Sequence, residues 1–120
     1  MKNFIFIKKI VKKPWGYYHI VSETTEYKEK KITIYQKKRL SLQKHKKRDE
    51  FWKIEQGNAE VILNNKKIKL SKNDELFIPR ESFHRVKNIG NINLIIQEIQ
   101  TGDYFGEDDI IRIEDDYGRV

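Results

Sequence analysis

Gln43, His45 and Glu50 are closely spaced in the stretch QKHKKRDEFWKIEQG, residues 43–57, and a further imidazole, His84, follows a proline in NDELFIPRESFHRVKN, residues 73–88. An amide, two imidazoles and a carboxylate form a donor set for one divalent first-row metal ion, zinc first, with manganese, iron, cobalt or nickel as alternatives. The chain has no cysteine, so thiolate ligation and disulfides are both excluded and nitrogen and oxygen must hold any metal. Alternate side chains of a strand share a face, which puts Gln43 with His45, and Glu50 with Trp52 on the strand that follows. Two donors from one strand, a third after a basic turn and a fourth from a separate hairpin can converge from three sides. The spacing alone is only moderately specific: a single histidine after a proline turn is more often structural than catalytic.

The elements that must position these residues read as strands. Short runs of Ile, Val, Leu, Tyr and Phe alternate with polar turns, and no segment sustains a helical period over three turns. Strands are expected over residues 4–10, 17–22, 30–35, 59–63, 66–70, 75–78, 83–87 and 92–100, with a short one in the tail at Ile110-Ile111-Arg112-Ile113. Lys13-Pro14-Trp15-Gly16 and Pro79 break ladders, and Asn64-Asn65 suits a two-residue hairpin turn, since asparagine tolerates positive φ. About ten short strands with regular turns suggest a β-sandwich or barrel, and a jelly roll fits that number. Trp15 and Trp52 are expected in the core in preference to walling a sugar pocket.

A length of 120 residues fits one domain, with its core over about 13–100 and an acidic extension, 101–120, packed on it. Residues 1–50 carry 15 Lys/Arg against 5 Asp/Glu, a balance of +10, whereas the last twenty carry 2 against 7, a balance of −5. The lysines are scattered through alternating patterns and the acidic tail would repel a phosphate backbone, so nucleic acid is not an expected partner. No apolar run is long enough for a membrane span or a signal peptide, and a cytoplasmic location is expected.

Both stretches resemble the two motifs of the cupin superfamily. Lys37, Gln43, His45, Glu50 and Gly57 keep every spacing of the first motif, with lysine at its opening glycine and glutamine at its first histidine. Asn73, Pro79, Glu81, His84 and Asn88 keep every spacing of the second, with both glycines replaced. Glutamine at the first ligand position is similar to the phosphomannose isomerases. Lys13-Pro14-Trp15-Gly16, Leu40-Ser41-Leu42-Gln43, Arg48-Asp49-Glu50-Phe51-Trp52 and the tail from Gly106 to Arg119 extend the resemblance, to the carboxy-terminal isomerase domain of type II phosphomannose isomerase/mannose-1-phosphate guanylyltransferase. Lys46, Lys47 and Phe51 stand where that family usually has histidines.

The resemblance implies an all-β cupin-type double-stranded β-helix, a jelly-roll barrel, with Gln43, His45, Glu50 and His84 as metal ligands. It implies a metal-dependent isomerase interconverting mannose 6-phosphate and fructose 6-phosphate. No glycine-rich nucleotide loop occurs, so guanylyl transfer is not expected of this stretch. Arg48 and Arg112 are the first choices for the phosphate of the sugar, with Lys31 and Arg119 next, because guanidinium binds phosphate bidentately. The base that moves the carbon-bound proton is left open among Glu50, Glu107, a lysine and a metal-bound hydroxide. The alternative function is a non-catalytic metal-binding cupin that recognises a sugar or a small carboxylate. A homodimer is expected, formed by covering the edge of an Ile-rich strand near the end of the chain.

Overall fold

A computed structural model describes residues 10–119, and it is built of antiparallel strands with no α-helix among those residues. The opening strand expected over 4–10 lies almost wholly outside the described residues. The strands are β1 (Ile10–Lys13), β2 (Gly16–Glu23), β3 (Tyr27–Ile34), β4 (Leu42–His45), β5 (Arg48–Gln56), β6 (Ala59–Leu63), β7 (Lys66–Leu70), β8 (Glu75–Ile78), β9 (His84–Asn88), β10 (Leu94–Gly102) and β11 (Ile110–Glu114), with a single 3-10 turn at Glu107–Asp109. They form a six-stranded sheet in the order β1-β2-β3-β10-β5-β8 and a five-stranded sheet in the order β11-β4-β9-β6-β7.

Register explains how the interior is graded. Leu94 of β10 is opposite Ile34 of β3, and Ile96 lies between Ile32 of β3 and Ile54 of β5. All of these are buried, together with Ala59, Val61, Ile78 and Val86 from neighbouring strands. In the next two rows along the same faces the character changes. Glu98 lies between Lys30 and Trp52, and Gln100 lies between Lys28 and Glu50. Glu98, Lys30, Gln100 and Glu50 are each no more than 4% exposed. The barrel therefore has an apolar half, which stabilises the fold by burying hydrocarbon, and a polar half that needs partners for every charge it encloses.

Asn88 ties the two sheets together at the apolar end. Its Nδ2 donates to the Ile34 carbonyl at 2.9 Å and the Ile92 carbonyl at 2.8 Å, while its Oδ1 accepts from the Gly90 amide at 2.9 Å. This motif residue is structural. The acidic extension packs against the barrel through β11, which pairs with β4, and beyond it Tyr117 donates to the Arg39 carbonyl at 2.9 Å while Arg39 forms a two-pronged ion pair with Asp116. The Ile-rich strand β10 has no edge to cover, because it lies between β3 and β5; its apolar residues occupy both faces of a central strand.

The glycine positions of the two motifs carry their conformation without the glycine. Lys37, Asn73 and Glu81 have φ of +66°, +74° and +66°. Gly57 keeps both, at φ +89°. A left-handed residue with a Cβ costs about 1–2 kcal/mol, less for asparagine, while glycine gives back about 0.5–1 kcal/mol through its unfolded-state freedom. Lys37→Gly and Glu81→Gly are therefore expected to raise stability by roughly 0.5 kcal/mol each, read as denaturation midpoints; lower midpoints in both variants would refute this account of the turns.

Candidate metal centre and its cavity

The strand pairing brings the candidate donors to one place. Gln43 of β4 is in register with His84 of β9 on one side and with Arg112 of β11 on the other, and Ile110 is in register with His45. Glu50 enters from β5 in the facing sheet. One donor atom each from His45, Glu50 and His84 lies within 4.8 Å of the others, and all three residues are buried. Gln43 Nε2 is 3.4 Å from His45 Nε2, and its Oε1 accepts from the Ser41 hydroxyl at 2.6 Å. The proximity of the four residues is thus the work of three strands from two sheets.

Glu50 is the electrostatic centre of the group. Its Oε2 is 2.9 Å from His45 Nε2 and accepts from Arg48 Nε at 3.1 Å, while its Oε1 accepts from the Trp52 indole at 3.1 Å and lies 3.8 Å from His84 Nε2. Burial alone would push this carboxyl up, but the hydrogen bond to His45 and the nearness of His45, His84 and Arg48 outweigh burial and hold it well below the ordinary carboxylate range. Glu98 has the opposite fate: burial first, and then the nearby Glu50 charge, push it up to about 8. The site thus holds one ionised and one neutral carboxyl near pH 7.

His84 is set up as a ligand. Its Nδ1 lies 3.0 Å from the Ser82 carbonyl, which fixes the proton on that nitrogen, and its buried Nε2 has no hydrogen-bond partner. A buried imidazole nitrogen with a free lone pair and a backbone carbonyl behind it is the arrangement that metal-binding histidines use. Burial, followed by the nearness of His45, lowers the His84 pKa and keeps the ring in the neutral, ligating form. The residues fit a divalent ion.

Gln43, Glu50 and His84 line a cavity that also receives Tyr18, Lys30, Glu98, Glu107 and Arg112, with His45 behind them outside its lining. Arg112 is the cation best placed for an anionic ligand. Its Nε is buried without a hydrogen-bond partner, and its charge is disfavoured first by burial and then by Arg119. Arg48 lines the cavity but is already engaged with Glu50 and, through Nη1, with the Phe105 carbonyl at 3.3 Å. Arg119 pairs with Asp115 at 2.8 Å, and Lys31 lies on the other face of β3, paired with Glu55 at 3.1 Å. Trp15 and Trp52 belong to the core and also form part of the cavity wall. Lys46, Lys47 and Phe51 are exposed and absent from the wall, so the family's histidines at those positions have no counterpart here inside the cavity.

Sequence reasoning missed Glu98, Lys30 and Tyr18 as cavity residues. The signal was the period-two phase of β10, in which Leu94, Ile96, Glu98 and Gln100 alternate inward; the apolar Ile95 and Ile99 on the opposite phase masked it.

Alanine at Gln43, His45 or His84 is expected to cut bound metal to well below one ion per chain after dialysis, measured by elemental analysis, and unchanged metal content in all three variants would refute the centre. Metal affinity should hold as pH falls to the ordinary histidine value of 6.5 and be lost only below it, because the lowered pKa of His84 delays proton competition for Nε2. Titration of metal binding against pH checks this; half-loss above that pH would contradict it.

The family described as mannose-6-phosphate isomerase C-terminal matches residues 2–115. Alginate biosynthesis protein AlgA of Pseudomonas aeruginosa is 45% identical over 110 residues, covering 92% of this chain and 23% of AlgA. Mannose-1-phosphate guanylyltransferase of Klebsiella pneumoniae is 42% identical over 107 residues, covering 89% of this chain and 23% of that protein. The chain spans about a quarter of the length of these curated relatives. Among solved structures, the capsular polysaccharide assembling protein CapF from Staphylococcus aureus superposes with a TM-score of 0.78 at 14% identity, over 93% of this chain and 36% of that one. The cupin domain of Schizosaccharomyces pombe Cnp3 does so with a TM-score of 0.69 at 16% identity, over 79% of this chain and 69% of that one. With a cupin fold and a match over nearly its whole length, the chain belongs to the mannose-6-phosphate isomerase C-terminal family.

Proposed function

We propose that the protein is a metal-dependent sugar-phosphate isomerase that interconverts mannose 6-phosphate and fructose 6-phosphate. The observation that carries this reading is that two orphaned buried nitrogens, His84 Nε2 and Arg112 Nε, border one cavity: the first calls for a cation, the second for an anion. A phosphorylated sugar held by a metal at its carbonyl end and by guanidinium at its phosphate satisfies both.

Gln43, His45, Glu50 and His84 would hold the ion, with zinc as the first choice, and a bound divalent ion would polarise the carbonyl and hydroxyl oxygens of the sugar. The chain's own residues do the rest. Arg48 fixes the Glu50 carboxylate from behind. Arg112 binds the phosphate, with Arg119 held beside it by Asp115. Glu107, half-buried on the tail and lining the cavity, is the carboxylate assigned to carry the proton between adjacent carbons. Burial would raise its pKa, but Lys30 and Arg48 lower it, so it is ionised and able to accept a proton. Glu98, pushed up to about 8 by burial and then by Glu50, is mostly protonated near neutral pH, so Glu107 is the better acceptor.

The second reading is a metal-binding module that recognises a sugar or small carboxylate without turnover, and Arg112 would serve it equally well. A homodimer is part of the proposal, with β8 as the edge strand: Phe77 on β8 is 52% exposed and in register with Phe51 at 38%. The protein reconstituted with zinc or manganese and assayed for fructose 6-phosphate formation decides between isomerase and module. Glu107→Gln is expected to lower kcat by roughly 10²–10⁴-fold, whereas Arg112→Met should raise KM for mannose 6-phosphate by at least about tenfold, a loss of one charged hydrogen bond. No turnover with any metal, while metal is retained, would sink the isomerase reading.

A further inference from the structure

Lys30 is a buried charge that the reading above uses only as a neighbour of Glu107. It is 3% exposed, faces inward on β3 and lines the cavity. Taking an ammonium out of water costs several kcal/mol unless it is paired at close range. Its pairing here is loose: Nζ is 3.8 Å from Glu107 Oε1 and 4.3 Å from the centroid of the Tyr18 ring. Lys30 and Glu98 are opposite one another across β3 and β10, and the next row along the same face contains Gln100 and the metal-centre residue Glu50. Successive rows on one face of a sheet are about 7 Å apart, within the span of a sugar chain and the reach of a lysine. Lys30 and Glu50 are thus offset by one row along the sheet and by two strand spacings across it, about 12 Å between backbones, and both side chains line the same cavity, where the ammonium has donors to spare.

We propose that Lys30 is a substrate-contacting residue, a second cation that donates to the sugar oxygen on which charge develops as the carbon-bound proton leaves. This deepens the isomerase reading and rests on it. In the forward direction the Glu107 carboxylate takes the proton from C2. The C2–H bonding pair becomes the C1=C2 double bond, and the carbonyl π pair moves onto O1. The hydroxyl proton then passes from O2 to O1, the O2 pair re-forms a carbonyl at C2, and C1 takes the proton back from Glu107. Lys30 keeps its proton throughout and stabilises the oxygen by hydrogen bonding, while the Glu107 and Tyr18 contacts hold it in place. Lys31, the neighbouring lysine, cannot substitute, because it lies on the outer face and pairs with Glu55.

The test compares Lys30→Met, Lys30→Gln and Lys30→Arg in the full, metal-reconstituted chain. Measurements are kcat and its pH profile, in which an effect through Glu107 would shift the acidic limb and a lost donor would lower the plateau, together with KM, metal content, melting temperature and calorimetric binding of sorbitol 6-phosphate, an open-chain analogue that cannot isomerise. Lys30→Met and Lys30→Gln are expected to lose kcat roughly 10²-fold, the loss typical of removing one oxyanion donor. Metal content should be unchanged and melting no lower in Lys30→Met, with partial recovery of kcat in Lys30→Arg. A kcat within twofold of wild type in either neutral variant overturns the proposal, as does a loss of activity matched by loss of metal. Wild type without turnover would sink the isomerase reading separately. In that case sorbitol 6-phosphate decides: binding at least tenfold weaker in Lys30→Gln supports the contact, and equal binding or none in wild type overturns it.

Discussion

One carboxylate, Glu50, is taken wholly out of water, and much of the surrounding structure compensates for that. A buried ionised carboxyl is tolerable only with close, oriented partners, and three are provided: the His45 imidazole, a guanidinium and an indole N–H. Each comes with its own constraint. Trp52 must stay two residues on along β5, His45 must arrive on β4 from the other sheet, and Arg48 must be buried alongside. Removing any one partner would leave charge without compensation in a medium of low polarisability. The strand registers that look like details of the barrel are what keep this cluster neutralised.

The polar half of the barrel is a poor contributor to stability, since enclosed ion pairs roughly balance desolvation against attraction. The apolar half, from Ile34 and Ile54 to Leu94 and Ile96, provides the net stabilisation, and Asn88 fixes that end by satisfying three backbone groups at once. The left-handed Lys37 and Glu81 bring further strain at the turns leading into β4 and β9. Enclosed charge gathers near the candidate centre together with the left-handed Glu81, whose amide donates to the His45 carbonyl, whereas Lys37 lies at the apolar end beside the Lys38 carbonyl that accepts from the Asn88 amide.

The fold was legible because its signals are local. Strand periodicity, Pro79 and Asn64-Asn65 mark the ladders, and the motif spacing brings Gln43, His45, Glu50 and His84 together without reference to any neighbour. What could not be read was pairing between distant strands. Nothing near Arg112 in the sequence says that it will sit opposite Gln43, and nothing near Lys30 says that it faces Glu98. Lys30 and Lys31 differ only in the phase of one strand, and with charges on both phases of residues 28–31 the inward face is undetermined. The same ambiguity hid Glu98 inside an isoleucine-rich run and made β10 look like an edge. The burial of Arg48 against Glu50 was invisible for another reason: adjacent opposite charges on a strand are usually solvated.

The pairing of β11 with β4 separates two kinds of residue along the chain. The candidate donors are carried on β4, β5 and β9, whereas Arg112 and Glu107 arrive on the tail, which is tied to the barrel by the pairing of β11 with β4 and by contacts such as Arg48 with the Phe105 carbonyl and the Lys47 amide with Asp109. Inheritance can therefore act on them independently. On the proposed function, substitutions in the tail would bear on anion recognition and proton transfer, while the candidate metal donors would be left as they were. Divergence of ligand preference within such a barrel would be expected to concentrate in β11 and the turn before it, where few core contacts resist change.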